Sequence, residues 1–342
     1  MYPPTGPQGP TPVIPDLPPI DPTDRYDEFV PPPLPPRHGK LWVQLVLLAA
    51  TIFTTTAAGG CHYFSFTTDF ATLNNANSGQ LDAGALFTDP RFYLHGLWYS
   101  LTILAILGCH EMGHYLMCLR YHVDATRPYF LPAPLPLTGT LGAFIRIKSR
   151  IPNKIALFDI GVAGPIAGFI VAVPALFLGL ALSRVDRLPE DSSQLIELGE
   201  PLLFRLASWL VWGDVADGYS INMHPMAFAA WFGLLATALN LFPIAQLDGG
   251  HIAYAVLGRR STIVTLIMIA VAIGLTFVST SWVAWTVLLV AMIATMGPGH
   301  PPTLDDEQRL DGGRLMLAAI AMVILLLCFT PAPIGPFVIG TS

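Results

Sequence analysis

The chain has 342 residues, of which 53% are hydrophobic and only 12% are charged. Soluble domains carry about 25% charged residues, so there are too few ionic groups to cover a water-facing surface, and the composition is that of a membrane protein. A net charge of −6, with no basic run longer than two residues, argues against nucleic acid as a partner.

Residues 1–40 hold fourteen of the 32 prolines. Such a stretch buries little apolar surface and cannot offset its ordering entropy, so it is expected to be a disordered, proline-rich cytoplasmic tail. The first apolar run starts only at Leu41, too late for a cleaved signal peptide. Residues 41–342 are expected to form one membrane-embedded domain. A hydrocarbon core about 30 Å thick needs roughly 20 helical residues. On that ruler, spans fall near 41–58, 94–119, 155–183, 224–243, 261–279, 282–296 and 314–331. The fold class is therefore all-α and polytopic, with about seven transmembrane helices. Residues 201–213 are apolar but short and contain Arg205, which suits an interfacial helix.

Loop charge sets the orientation. The 120–154 connection carries Arg120, Arg127, Arg146, Lys148, Arg150 and Lys154 against Asp124, whereas 184–223 has three arginines against seven acids. Placing the basic connection in the cytoplasm puts the N-terminus there too, and a bacterial inner membrane is the expected location. Cys61, Cys109, Cys118 and Cys328 show no paired spacing, so no disulfide framework is expected. The polar segment 297–313 is expected to be a cytoplasmic loop with solvated charges.

The chemistry is concentrated in the second span, in LGCHEMGHYLMC. His110 and His114 stand four residues apart, about 40° from each other on a helix and one turn along it. Both imidazoles can reach one ion, and Glu111 lies near that face without having to be a ligand. This is the HExxH arrangement of two zinc ligands and a general base. Ionisable groups at membrane depth are costly and functional by default, and three within five residues need a common partner, which a bound Zn²⁺ supplies. His110 lies about 15 Å along the helix from Arg120. A third ligand must approach from the same side. The fourth span ends in LNLFPIAQLDGGH, where Asp248 follows a helix-breaking proline and precedes two glycines. Irregular backbone at that depth is tolerated only when buried or lining a cavity, so Asp248 is the expected third ligand. Its competing role is as a cap for a short helix over 249–257. His251, one turn beyond, is a candidate to support the ligands from behind. The remaining histidines carry no spacing argument.

HEMGH in one apolar helix, LNLFPIAQLDGG in a later one and GVAGPIAG at 161–168 between them resemble the site-2 protease family of intramembrane zinc metalloproteases. The resemblance covers roughly residues 92–260, and it is closest to the compact branch without PDZ or CBS domains, including chloroplast-type members. It implies His110, His114 and Asp248 as zinc ligands, Glu111 as the catalytic acid/base, and Asn240 as a residue that helps hold substrate. The implied activity is hydrolysis of peptide bonds within or near transmembrane segments of membrane-protein substrates, with one catalytic zinc. Ala245 departs from the pattern, since many members carry a second proline there. Gly161, Gly164 and Gly168 are expected to let another helix approach closely, with Asp159 just before them at the interface.

From 143 onward the 128–148 stretch alternates in a strand period, with Thr138-Gly139 as a turn. An exposed edge there could capture an unwound substrate by strand addition. The family resemblance supports a re-entrant β element near the active site. The rival function is a metal-ion or solute transporter using the same His/Asp cluster.

Overall fold

The computed structural model describes residues 40–68, 87–135, 137–189 and 195–336. The proline-rich tail, apart from Lys40, lies outside them. Nine α-helices are described: α1 (Leu41–Thr67), α2 (Pro90–Arg120), α3 (Lys154–Ala181), α4 (Leu202–Trp212), α5 (Pro225–Leu241), α6 (Asp248–Leu257), α7 (Ser261–Leu275), α8 (Ser281–Met296) and α9 (Gly312–Cys328). The strands are β1 (Tyr129–Pro132), β2 (Thr140–Phe144), β3 (Arg184–Arg187), β4 (Ile196–Leu198), β5 (Tyr219–Asn222) and β6 (Ile334–Pro336), in three antiparallel pairs.

Among the described residues, four helical runs are long and apolar enough to cross a membrane: α1, α2, α3 and the stretch Asp248–Leu275, in which a 3-10 turn joins α6 to α7. The chain is thus a mostly helical integral membrane protein. Seven spans were expected, but α5, α8 and α9 are shorter apolar helices. The 201–213 segment forms the helix α4, which leaves Leu202, Leu206, Trp209 and Leu210 exposed.

Small residues set the helix crossings. A methyl on Gly96 of α2 would lie 2.1 Å from the Thr56 carbonyl of α1, and one on Gly113 would lie 2.5 Å from the Ala163 carbonyl of α3. Backbones this close gain van der Waals contact where lipid offers no hydrophobic drive. Two of the hydroxyls on these faces bond internally: Thr55 to Ser100 at 2.7 Å across the α1–α2 contact, and Thr51 to the Leu47 carbonyl. The core fills the space among α2, α3 and α5 with fully buried Ile103, Phe158, Leu176, Trp231 and Leu234.

The β1–β2 hairpin runs along α1. Its base lies by Gln44, which donates to the Arg127 carbonyl. At its tip the Thr138 carbonyl accepts from Tyr99, about 30 Å along α2 from Arg120. The turn falls at Thr138-Gly139 as expected, with Gly139 at φ +66 and packed on the backbone of Thr54 and Thr55. The strand itself begins at Thr140, three residues before the alternation predicts. Gly142, at φ +107, breaks the alternating pattern that would have revealed it. Beyond Phe144 the pairing continues only as a bridge from Ile147 to Ala125.

Two long-range contacts relate the connections. The Leu304 and Asp305 amides donate to the carbonyls of Ile151 and Pro152, which tie the α8–α9 loop to the segment before α3. After α9, β6 pairs with β4 in the α3–α5 connection.

Candidate active site

α2 is an uninterrupted helix through the HEMGH sequence, and it buries His110, Glu111 and His114, all below 9% exposed. The two imidazoles meet at 3.2 Å between their Nε2 atoms. Asp248 completes the group, with Oδ2 lying 3.1 Å from His110 Nε2 and 3.3 Å from His114 Nε2. These donors could hold a metal ion. A tetrahedral zinc with bonds of about 2.0–2.1 Å spaces its ligand atoms about 3.3 Å apart, so the donor chemistry and the spacing both fit. A Glu111 oxygen stands 4.0 Å from His110 Nε2, beside the cluster.

Local sequence explains how Asp248 arrives. α5 ends at Leu241 because Pro243 follows, and Phe242 takes the extended conformation that a residue before proline prefers. The chain then turns through Ile244 to Leu247 and restarts as a helix at Asp248, the first residue of α6, with Leu247 at the cap position. The alternative role of Asp248 as a helix cap is therefore not the one adopted. Both following glycines are demanded by the tight turn. A methyl on Gly249 would lie 1.9 Å from the Leu241 carbonyl, and one on Gly250 would lie 2.2 Å from that of Ala245. The Ala245 backbone sits at φ +43, a left-handed conformation closed to proline, and its amide donates to Thr265 of α7.

The glycine motif of α3 packs directly on the cluster. A methyl on Gly164 would lie 2.1 Å from His114 Nε2, and one on Gly168 would lie 3.2 Å from His110 Cβ. The same helix orients His114. Its Nδ1–H donates to the Ile160 carbonyl at 2.7 Å, which leaves Nε2 with a free lone pair facing Asp248. The Asn240 amide lies 3.4 Å from His110 Nε2, so this residue also reaches the cluster. The Ile145 backbone, just past β2, lies beside Glu111.

His251 pairs through Nδ1 with His300 Nε2 at 2.7 Å. His300 gave no spacing signal, and the expectation of a merely solvated 297–313 loop needs correction. Asp306 accepts from Tyr254 of α6 at 2.6 Å. Arg314 forms a two-pronged pair with Asp159, at 2.8 and 2.7 Å, and also bonds Asp311, while Tyr121 donates to Asp159. A parallel two-pronged contact is the strongest form of the guanidinium–carboxylate pair, so Asp159 fastens α9 to α3 at the point expected to be the membrane interface.

Two imidazoles and a carboxylate that could hold a metal ion, with a buried glutamate beside them, stand together among apolar helices. The chain belongs to peptidase family M50, the site-2 protease family, whose model matches residues 98–280. It is 30% identical over 236 residues to "Probable zinc metalloprotease EGY1, chloroplastic" of Arabidopsis thaliana, covering 67% of this chain and 42% of that protein. It is likewise 30% identical over 244 residues to "Probable zinc metalloprotease EGY2, chloroplastic" of Oryza sativa subsp. indica, covering 70% and 44%. The chain thus spans less than half the length of these curated relatives. No solved structure matches it.

Proposed function

We propose that the chain is an intramembrane zinc metalloendopeptidase acting on transmembrane segments of membrane proteins, in the manner of regulated intramembrane proteolysis. One observation carries this reading: donor atoms from α2 and α6 converge to within 3.3 Å beside a buried glutamate. His110, His114 and Asp248 hold the zinc. When bound, it supplies Lewis acidity toward a water and a scissile carbonyl.

The chain's own groups do the rest. Glu111 takes a proton from the attacking water and hands it to the departing amine. Asn240 offers an amide beside His110 that can hold the substrate carbonyl. A helical substrate hides its amides in its own hydrogen bonds, so it must be extended before attack. The edge of β2 away from β1, which pairs with no other strand among the described residues and whose continuation runs beside Glu111, offers backbone partners to an extended segment.

Seven crossings with a cytoplasmic N-terminus best accommodate the connections. The basic segment before α3 is tied to the α8–α9 loop, and the acidic segment after α3 is tied to β6. With α3 between them these lie on opposite faces, and α5, α7, α8 and α9 then each cross. The relatives are named chloroplastic, which lends no support to the expectation of a bacterial inner membrane.

The test is Glu111→Gln in lipid vesicles with a single-span substrate. Cleavage is expected to fall by about 10²–10⁴-fold, with zinc content and helical spectrum unchanged. Undiminished cleavage overturns the reading.

A further inference from the structure

We propose that the α8–α9 loop is a working part of the metal centre, with His300 and Asp306 acting as positioning residues that hold α6, and therefore the Asp248 carboxylate, in register with the two α2 histidines. This rests on the reading of Asp248 as a zinc ligand.

Residues 248, 251 and 254 of α6 are spaced i, i+3, i+6 and form one stripe along the helix. The upper end of the stripe is the Asp248 carboxylate. The two lower positions are both taken by the loop. His251 Nδ1 meets His300 Nε2 at 2.7 Å. The Tyr254 ring stacks on His300 with centroids 4.7 Å apart, and its hydroxyl donates to Asp306 at 2.6 Å.

The loop is itself fixed. His300 Nδ1 donates to the Pro301 carbonyl at 2.6 Å, which leaves Nε2 as the acceptor for the His251 N–H and so assigns both tautomers. Thr303 donates to Asp306 Oδ1 at 2.6 Å, and the Leu304 and Asp305 amides hold the carbonyls of Ile151 and Pro152. Downstream, Arg314 is locked to Asp159.

The first turn of α6 is thereby clamped from two sides. Gly161 of α3 closes on it from one, since a methyl there would lie 2.8 Å from His251 Cβ. His300 bears on the other. α6 has only ten residues, and its first turn, which carries Asp248, follows an irregular turn with a left-handed alanine, so no preceding helix anchors that end. The loop supplies that anchor. Its polar contacts lie along the same stripe as the carboxylate, so any tilt of α6 that relieves them also moves Asp248.

The experiment measures zinc affinity of the full-length protein by competition with a chelator, alongside the visible absorption of the Co²⁺-substituted site and the unfolding temperature of the metal-free protein. His300→Ala is expected to weaken zinc binding by about 10–100-fold, the range for groups that orient metal ligands from behind, and to alter the cobalt bands. The metal-free unfolding temperature should stay close to wild type. His300→Gln, whose side-chain oxygen reaches the Nε2 position, is expected to restore most of the affinity. Tyr254→Phe, which removes only the hydroxyl facing Asp306, is expected to give a smaller loss in the same direction.

Affinities within twofold of wild type in both His300→Ala and Tyr254→Phe overturn the proposal. Should His300→Ala fail to fold, Tyr254→Phe decides by the same threshold. Asp248→Ala separates the two levels. If it loses zinc while the loop variants do not, only the role of the loop fails. If it keeps zinc at full stoichiometry, the underlying ligand reading fails.

Discussion

At Gly164 a hydrogen stands where a methyl would lie 2.1 Å from a ring nitrogen of His114. That ring is buried, and the Ile160 carbonyl fixes its other nitrogen, so it cannot swing away cheaply. Gly164→Ala is therefore expected to displace His114 and lower turnover by about 10²-fold, the cost of misplacing a reacting group by an ångström. Gly168→Ala meets His110 Cβ only at 3.2 Å, so a much milder loss should appear in the same cleavage assay. Equal effects would show that the motif serves general packing rather than the cluster. At this scale the sequence was most legible. His110 and His114 share one helix face by spacing alone, with Glu111 near it, and Asp248 stood out as a carboxylate on broken backbone. Asn240 followed only from family resemblance. His300 was invisible because its partner lies 49 positions away, and nothing local to GPGHPP marks a ring that docks on another helix.

Among the elements, the loop before α9 behaves as a structured clamp rather than a solvated connection. Burial holds the His300 ring below the usual histidine pKa, against the opposing pull of the Pro301 carbonyl and Asp306. The groups facing it are His251 and Tyr254 from α6 and Asp306 from the loop itself. A ring that binds its proton less readily when docked than when released makes docking strongest above about pH 6.5 and weaker as pH falls below it. Amide exchange over 297–306, corrected for intrinsic rates, is thus expected to be faster at pH 5.5 than at pH 7.5, and equal protection at both would contradict this. Among the strands, the turn at Thr138-Gly139 was legible from its residues. The start of β2 was not, because Gly142 replaces a side chain in the alternation.

On the scale of the whole molecule, the apolar runs located the helices well, and the loop charges suggested their direction. Span number was less legible. α5, α8 and α9 have 17, 16 and 17 residues, near the lower limit of what a bilayer requires, and a 3-10 turn merges α6 with α7 into one helical run. Long-range pairings, such as β4 with β6, carry the side-of-membrane information that no local window holds. In a background with the native cysteines replaced by alanine, Arg150→Cys and Glu197→Cys are expected to react with a membrane-impermeant thiol reagent from opposite sides of oriented vesicles. Labelling of both from one side would contradict the seven-span arrangement.

All of the proposed chemistry depends on a cation gripped by two imidazoles and the α6 carboxylate. Zinc-edge X-ray absorption of the purified, membrane-reconstituted protein tests this most directly. It should report one zinc per chain, with imidazole scattering from two histidines and only nitrogen or oxygen ligands at about 2.0–2.1 Å, and the spectrum should change in Asp248→Ala. Thiolate scattering near 2.3 Å, or an identical spectrum in Asp248→Ala, would contradict it.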